Sequence, residues 1–170
     1  MNDESKPYTV IPNEQMGNVI HQYFGPYFMT FEQSSFALMS KWAGDAYKGG
    51  MWELRRYPNG AIAMVFPDTA EKHPVHGPNQ TADATLEAIS LAVNLAVING
   101  ISQAVYLNKQ DNTRYHDLYF ALKDSISGLM RFIVNEDCTI RTATEEDLVA
   151  HERLGSLKHP ESRVIFAINN

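Results

Sequence analysis

Residues 47–67 have the sequence YKGGMWELRRYPNGAIAMVFP, and this stretch predicts a β-hairpin. Its first half alternates in polarity, so that Trp52 and Leu54 share one face of a strand. The Pro-Asn-Gly at 58–60 supplies one residue with φ fixed at about −65° and two that tolerate positive φ, as a tight turn requires. Residues 61–66 then return as a second strand whose apolar side chains cover Trp52 and Leu54.

The rest of the chain is predicted to cover this hairpin, because an isolated hairpin is only marginally stable in water. The other face of its first strand carries Met51, Glu53 and Arg55, and the preceding Gly49-Gly50 permits a sharp entry. Capping and periodicity predict the remaining elements. They are an arm over 1–12, a helix over about 14–23, a helix from Thr30 to about Asp45, a long apolar helix capped by Thr81 or Asp83 and ending at Asn99-Gly100, a helix from Asp111 or Asn112 to before Gly128, a hairpin over 129–142, a helix from Thr144 to about Leu154 with Gly155 after it, and a tail helix near Pro160. We therefore predict an α+β fold with a single domain over 1–170, in which helices pack around a small antiparallel sheet with a central hairpin at about 51–66.

The composition is that of one globular domain: 170 residues, 44% hydrophobic and 20% charged. Cys138 is the single cysteine, which excludes an intrachain disulfide. No apolar run approaches the ~18 residues that span a bilayer, so no membrane association is expected. The polar, acidic start of the chain does not have the pattern of a signal peptide, and a cytoplasmic location is expected.

The net charge of −6 argues against direct nucleic-acid binding, which favours a basic face. It also argues against mimicry of DNA by the whole molecule. Duplex DNA carries one charge per about 1.7 Å, so a mimic of ten base pairs needs roughly 20 negative charges. Six net negative charges are too few for such a mimic.

No arrangement of residues predicts catalysis. His73 and His76 have a spacing that could suit a metal, but Pro74 and Pro78 indicate a turn and no third ligand is near in sequence. His116 and Asp117 are neighbours on a helix and should point about 100° apart. Cys138 is interpreted as a structural residue of a strand. Phosphate-binding and dinucleotide-binding glycine patterns are absent from the sequence. We predict no catalytic residue, no metal site and no cofactor.

The hairpin contains a pattern of eight residues: Tyr47, Gly49, Gly50, Trp52, Asn59, Gly60, Met64 and Pro67. This pattern resembles the signature of the ArdB/KlcA antirestriction family. The resemblance continues in the alanine-rich helix over 87–98, in 116–124, and in the His-Pro-Glu tail over 159–168. It implies a non-catalytic inhibitor of type I restriction-modification, carried by a plasmid, phage or other mobile genetic element, whose partner is a host DNA-defence complex.

Three features depart from the family pattern. Residues 61–63 are Ala-Ile-Ala where the family has glycine and aromatic residues. About 30 residues separate two blocks that are nearly continuous in the family, which predicts an inserted hairpin and helix over about 125–155. The chain ends in Asn169-Asn170 where the family has Asp.

The predicted insertion is acidic. Residues 124–152 contain seven acidic and two basic residues, which accounts for five of the six net negative charges. One interpretation is a solvated hairpin and helix start whose acids stabilise the helix dipole. The other is a docking surface for a basic groove on a protein that handles DNA. Its candidate residues are Glu136, Asp137, Glu145, Glu146 and Asp147.

Other functions remain open at this stage. The chain could inhibit another defence, such as a CRISPR effector, or be a small hydrolase that uses His73, His76 or His116. It could also be a regulatory or structural module of the host. Trp52, Tyr57 and the turn at 59–60 could either maintain the fold or contact a partner.

Overall fold

The computed structural model describes residues 6–79, 82–152 and 157–169. The first five residues of the predicted arm, the Thr81 cap, the helix end at Leu154-Gly155 and the terminal Asn170 lie outside this range. The elements are β1 Thr9–Ile11, α1 Met16–Phe24, α2 Phe28–Ala43, β2 Glu53–Arg56, β3 Ile62–Val65, β4 Lys72–His73, β5 Ala84–Thr85, α3 Leu86–Leu107, α4 Thr113–Ser127, β6 Phe132–Val134, β7 Ile140–Thr142, α5 Glu145–Ala150 and α6 Ser162–Ile168.

The predicted α+β single domain with a central hairpin is confirmed. Strands β2 and β3 pair antiparallel with Leu54 opposite Met64, and β1 adds to the other edge of β2 with Ile11 opposite Leu54. The sheet order is β1-β2-β3, and two further two-stranded sheets are formed by β4-β5 and β6-β7. The N-terminal arm is therefore an edge strand over 9–11. Apolar side chains of the sheet and the helices form a shared core, which includes Leu54 and Met64.

Helix α3 is the buried axis of the domain. Its N-cap is Thr85, whose hydroxyl accepts the Ala88 N–H at 3.1 Å. The predicted end at Asn99-Gly100 is wrong, because the helix continues to Leu107. Ile101 and Val105 are buried beyond the glycine. Burying two such side chains stabilises by roughly 3–6 kcal/mol, which exceeds the ~1 kcal/mol that a mid-helix glycine costs.

By length and composition α3 could also cross a membrane, and 72% of its most apolar window is buried inside the domain. The expectation that no stretch is long and apolar enough was therefore wrong. Uncharged polar residues, Ser90 and Asn94 among them, interrupt the apolar run. They do not lower its mean hydropathy below that of a membrane-spanning helix. The burial of this helix is that of a core helix.

The outer edge of β3 is covered by α3 rather than by a fourth strand. The Asn94 side chain accepts the Met64 N–H at 2.9 Å and donates to the Met64 carbonyl at 2.6 Å. Ser90 accepts the Phe66 N–H at 3.0 Å. Both polar side chains are fully buried. They satisfy backbone groups that a sheet edge would otherwise leave without partners.

The predicted Thr30 cap of the second helix is wrong. Helix α2 begins at Phe28, directly after a 3-10 turn over Gly25–Tyr27. The Phe24 and Phe31 rings stack across this turn with centroids 4.1 Å apart. Packing of these buried rings places the start of the helix, and the exposed Thr30 lies inside the first turn.

Candidate functional site

The turn of the central hairpin is a buried hydrogen-bonding centre. The Asn59 side chain is 1% exposed and donates to the Ala121 carbonyl of α4 at 2.8 Å. Its oxygen accepts the Ala61 N–H at 3.0 Å and the Ser125 hydroxyl at 2.9 Å. These bonds fix the turn against α4. The role that the structure supports for Asn59 is fold maintenance.

The next residue, Gly60, has φ +83°, and a Cβ there would lie 2.1 Å from the Val134 carbonyl oxygen. The Val134 N–H in turn donates to the Asn59 carbonyl at 2.8 Å. Strand β6 is therefore docked onto the turn of the first hairpin. Both the left-handed backbone and the close approach require glycine at this position.

Aromatic packing organises the start of the hairpin. Trp52 donates its indole N–H to the Tyr47 hydroxyl at 2.9 Å, and both rings pack edge-on against Phe66. Gly50 has φ +145°, and a Cβ there would lie 2.9 Å from the Phe66 ring. This glycine makes room for the aromatic cluster.

The structure places all eight residues of the predicted motif in or beside the hairpin. Trp52, Asn59 and Met64 are buried, whereas Gly49, Gly50 and Pro67 are exposed. Ala61 and Ala63, which depart from the family pattern, are at most 1% exposed. The departure at these two alanines therefore changes the core and not the surface.

A second polar centre was missed by the sequence analysis. We call Glu53, Arg55, Glu87 and His159 the Arg55 cluster. Arg55 is 2% exposed. Its guanidinium donates to Glu53 and to Glu87, each at 2.6 Å, and Tyr8 stacks over it at 4.0 Å. His159 lies 3.0 Å from the other oxygen of Glu87. The cluster joins the hairpin, α3 and the C-terminal segment.

The electrostatics of the cluster favour its ion pairs. Burial by itself raises the pKa of Glu87, but the hydrogen bond from His159 and the charge of Arg55 outweigh it, so the pKa is lowered. For Arg55, burial opposes the charged form, and attraction to Glu87 outweighs it to raise the pKa. The neighbouring Tyr57 is buried, which raises the pKa of its hydroxyl well above the usual range. At neutral pH, therefore, Tyr57 is neutral, and Glu87 and Arg55 are charged.

The His-Pro-Glu tail takes part in this centre. The Glu161 N–H donates to Nδ1 of His159 at 3.0 Å, which places the imidazole proton on Nε2, facing Glu87. The Glu161 carboxylate accepts the Thr85 N–H at 3.0 Å and the Thr85 hydroxyl at 2.6 Å. The tail motif therefore buttresses the cap of α3.

A cavity of about 270 Å³ lies over the cluster, lined by Tyr8, Tyr57, Ser125 and His159 among others. In the described part of the chain, no buried side-chain nitrogen or oxygen lacks a hydrogen-bond partner. Every member of the Arg55 cluster is engaged by another member. The arrangement therefore holds the hairpin, α3 and the C-terminal segment together.

The three histidines that were candidates for chemistry lie in different parts of the fold. His73 lies in β4, His76 contacts Gly44, and His116 is exposed on α4. His116 Nδ1 does lie 3.2 Å from Asp117 Oδ1, so the expectation that these neighbours point apart was wrong. Within the described residues, no group of three or more His, Cys, Asp or Glu could hold a metal ion.

Cys138 is 8% exposed, but it lies in the turn before β7 and not in a strand, with φ +66°. Its carbonyl accepts a hydrogen bond from Arg114, which also donates to Tyr23. The turn is thereby tied to α1 and α4.

The five predicted acidic residues divide into two groups. Asp137 accepts from the backbone N–H and the hydroxyl of Thr139, and Asp147 forms a capping box with Thr144 and an ion pair with Arg141. The other three, Glu136, Glu145 and Glu146, are exposed, and their side chains form no hydrogen bond or ion pair with the described residues. Helix α5 has no buried residue among those described, and Leu148 and Val149 are 49% and 72% exposed.

No protein-family model matches the chain, and no curated protein matches it. Among solved structures, the chain shares its fold with proteins that are described as having antirestriction activity. One matching structure is that of the KlcA and ArdB proteins, with a TM-score of 0.59 and 20% sequence identity over 91% of this chain and 99% of that one. KlcA and ArdB are described as showing a novel fold and antirestriction activity against type I DNA restriction systems in vivo but not in vitro.

The likeness establishes that the chain has the KlcA/ArdB fold. The resemblance noted in the hairpin, in α3 and in the tail is therefore confirmed for the fold. The same three segments are joined by the Arg55 cluster, which gives the motif a structural explanation.

Proposed function

We propose that the protein counters type I restriction of incoming mobile DNA, and that it does so by binding a protein rather than by catalysis. The observation that carries the proposal is the shared fold with KlcA and ArdB over nearly the whole of both chains. A cytoplasmic site of action follows from the proposal, because restriction complexes meet incoming DNA there. The acidic net charge is consistent with a protein target rather than with DNA.

The antirestriction activity of KlcA and ArdB is described in vivo but not in vitro. For this chain we accordingly propose a target that is present in the cell and missing from a purified restriction reaction. The partner would be a host protein that acts together with the restriction complex. This makes a cellular assay the decisive one.

For the binding surface we propose the exposed part of the acidic hairpin and α5. Glu136, Glu145 and Glu146 project into solvent with no partner among the described residues, so they are available to a basic surface. The exposed Leu148 and Val149 lie beside them and add apolar area. Asp137 and Asp147 hold the local turn and the helix cap, and we assign them to folding.

The function is tested by the plating efficiency of unmodified phage on a type I restricting host, with and without the protein. We expect efficiency to rise toward that of a non-restricting host, while DNA methylation stays intact. Phage that already carries the host modification should plate equally in both strains. Unchanged plating of unmodified phage, with folded protein present in the cells, would overturn the proposal and favour another defence, such as a CRISPR effector.

The surface is tested by the triple variant Glu136→Lys, Glu145→Lys and Glu146→Lys. Its matched control reverses three other exposed acids, Glu14, Glu71 and Asp83, to lysine and changes the net charge equally. We expect the first variant to lose protection and the control to keep it. Equal protection by both variants would exclude this surface.

A further inference from the structure

Helices α2 and α3 enclose an apolar groove of about 620 Å³ on the surface of the domain. The contacts of α2 with its surroundings show that the two helices run antiparallel. Tyr27, at the start of α2, packs on Tyr115, and Asn112 nearby donates to Ser102 of α3. Further along α2, Phe36 packs on Trp52, whose ring packs on Phe66, and the Phe66 N–H donates to Ser90 of α3. The groove therefore extends from Ala104 near the start of α2 to Ala96 near its end. It is open to solvent and lies apart from the Arg55 cluster.

The exposed face of α3 along this groove carries no charge. From Ala88 to Asn108 the sequence has no acidic or basic residue. Ala96, Gly100, Gln103 and Leu107 lie within about 60° of one another around the helix, given 100° per residue. Three of these are exposed and Ala96 is partly so. On a chain with net charge −6, this is a face on which two copies can approach without repulsion between acids.

Gly100 and Leu107 are complementary in shape. A Cβ at Gly100 would meet nothing within 4 Å, so no contact inside the chain requires glycine there. Leu107 is 76% exposed, and its neighbour Tyr106 is 67% exposed. A gap and a projecting apolar side chain on one stripe, seven residues or about 10 Å apart, fit each other when two such helices pack antiparallel.

We propose that a second copy of this chain occupies the groove, with α3 packed antiparallel on α3 across a two-fold axis near Gln103. Leu107 of each copy then fills the gap over Gly100 of the other.

The charges at the two ends agree with this register. Among the described residues that line the groove, Lys41 is the one with a charged side chain, and it lies at the Ala96 end. The antiparallel register brings that end to the partner's turn after α3, which carries Asp111 and Lys109. Asp111 accepts hydrogen bonds from the Thr113 N–H and hydroxyl, which lower the pKa of its carboxyl and keep it ionised. It therefore offers Lys41 an opposite charge.

Sedimentation velocity over about 1–500 µM tests the proposal, a range that suits an interface of modest size. We expect a reversible monomer–dimer equilibrium. Leu107→Glu and Gly100→Glu should each weaken it at least tenfold, the scale of a central contact. The matched control Met51→Glu adds the same charge at an equally exposed apolar residue before β2 and should leave the equilibrium unchanged.

Two smaller changes test the register. Lys41→Glu should weaken association more than Lys48→Glu, a change of the same charge just beyond the groove. Gly100→Ala should raise the melting temperature of the dilute monomer, because alanine favours the helix, and yet weaken the dimer. A wild-type chain that stays monomeric over the whole range would overturn the proposal and leave the groove to a different protein. So would a dimer that tolerates Leu107→Glu and Gly100→Glu.

Discussion

The central hairpin and the acidic segment over 124–152 use the same type of contact in opposite surroundings. Arg55 pairs with Glu87 at 2.6 Å with side-chain exposures of 3% and 13%. Arg141 pairs with Asp147 at 2.7 Å, with exposures of 43% and 20%. The first pair joins segments 32 residues apart, while the second joins a strand to the helix that follows it. The difference shows that an ion pair secures the fold when it is buried and distant in sequence, and only local geometry when it is exposed.

The largest expected effect comes from breaking the buried pair. Arg55→Ala leaves Glu53 and Glu87 without their cation in a buried site, and we expect a loss of about 3–5 kcal/mol in the free energy of unfolding. Arg141→Ala removes an equally short but exposed pair, and we expect a much smaller loss. Urea unfolding followed by circular dichroism measures both. Equal losses in the two variants would contradict the comparison.

The turn of the hairpin should be the next most sensitive position. Gly60→Ala combines an unfavourable φ with a clash against the Val134 carbonyl, and we expect a loss of about 2–5 kcal/mol. Gly49 has φ +81° but open space around its Cα. Gly49→Ala should therefore lose only the conformational part, about 1–2 kcal/mol. Thermal unfolding of the two variants separates the clash from the backbone strain, and a similar loss in both would show that β6 is not docked tightly.

The pH dependence of stability should report the Arg55 cluster. The pKa of Glu87 is lower in the folded chain than its ordinary value of 4.5. Ionised Glu87 therefore stabilises the fold above about pH 4.5, and this contribution is lost as the pH falls through the folded pKa. The Glu87→Gln variant lacks this stabilising contribution at every pH. The stability difference between wild type and Glu87→Gln should be largest near neutral pH and shrink below pH 4.5, and a difference that is constant from pH 7 to pH 3 would refute the assignment.

The smallest expected effect is in the acidic segment. The triple reversal of Glu136, Glu145 and Glu146 should leave the melting temperature close to that of the control triple, because none of these side chains has a partner within the described residues. Differential scanning calorimetry of both variants measures this. A clear drop for the first variant alone would show that these acids stabilise the fold, which would favour the solvated structural interpretation over a docking surface.

The sequence was sufficient to predict the structure where the interactions that determine it are local. The hairpin was predictable because Pro58, Asn59 and Gly60 have turn chemistry and alternating residues flank them. The second hairpin and the helix after Thr144 followed from similar signals, and the Thr144–Asp147 capping box lies within four residues. Helix α4 ends at Gly128 in a left-handed conformation, as its position after the periodic stretch predicts.

The sequence was insufficient to predict contacts between residues that are far apart along the chain. Alternation placed Arg55 on a polar face, and nothing near it in sequence indicates Glu87 or His159, which lie 32 and 104 residues further on. Gly100 had the pattern of a helix end, and only the packing of Ile101 and Val105 carries α3 past it. His159 and Glu161 were noted only as part of the family-like tail, and their role was not predicted because their partners Glu87 and Thr85 are distant in sequence. The five acidic residues look alike in sequence, and hydrogen bonding separates Asp137 and Asp147 from the rest.

The hydrogen bonds of Asn94 and Ser90 to the edge of β3 have a consequence for aggregation. An open sheet edge offers a row of backbone groups onto which a strand of another molecule can add. In this sheet the β3 edge is occupied by α3, and the opposite edge is the three-residue β1, which lies between Pro7 and Pro12. Neither edge gives a foreign strand a continuous ladder to extend. The central sheet is thereby protected from intermolecular β-pairing, and contacts with other proteins are left to the helices and to the acidic segment.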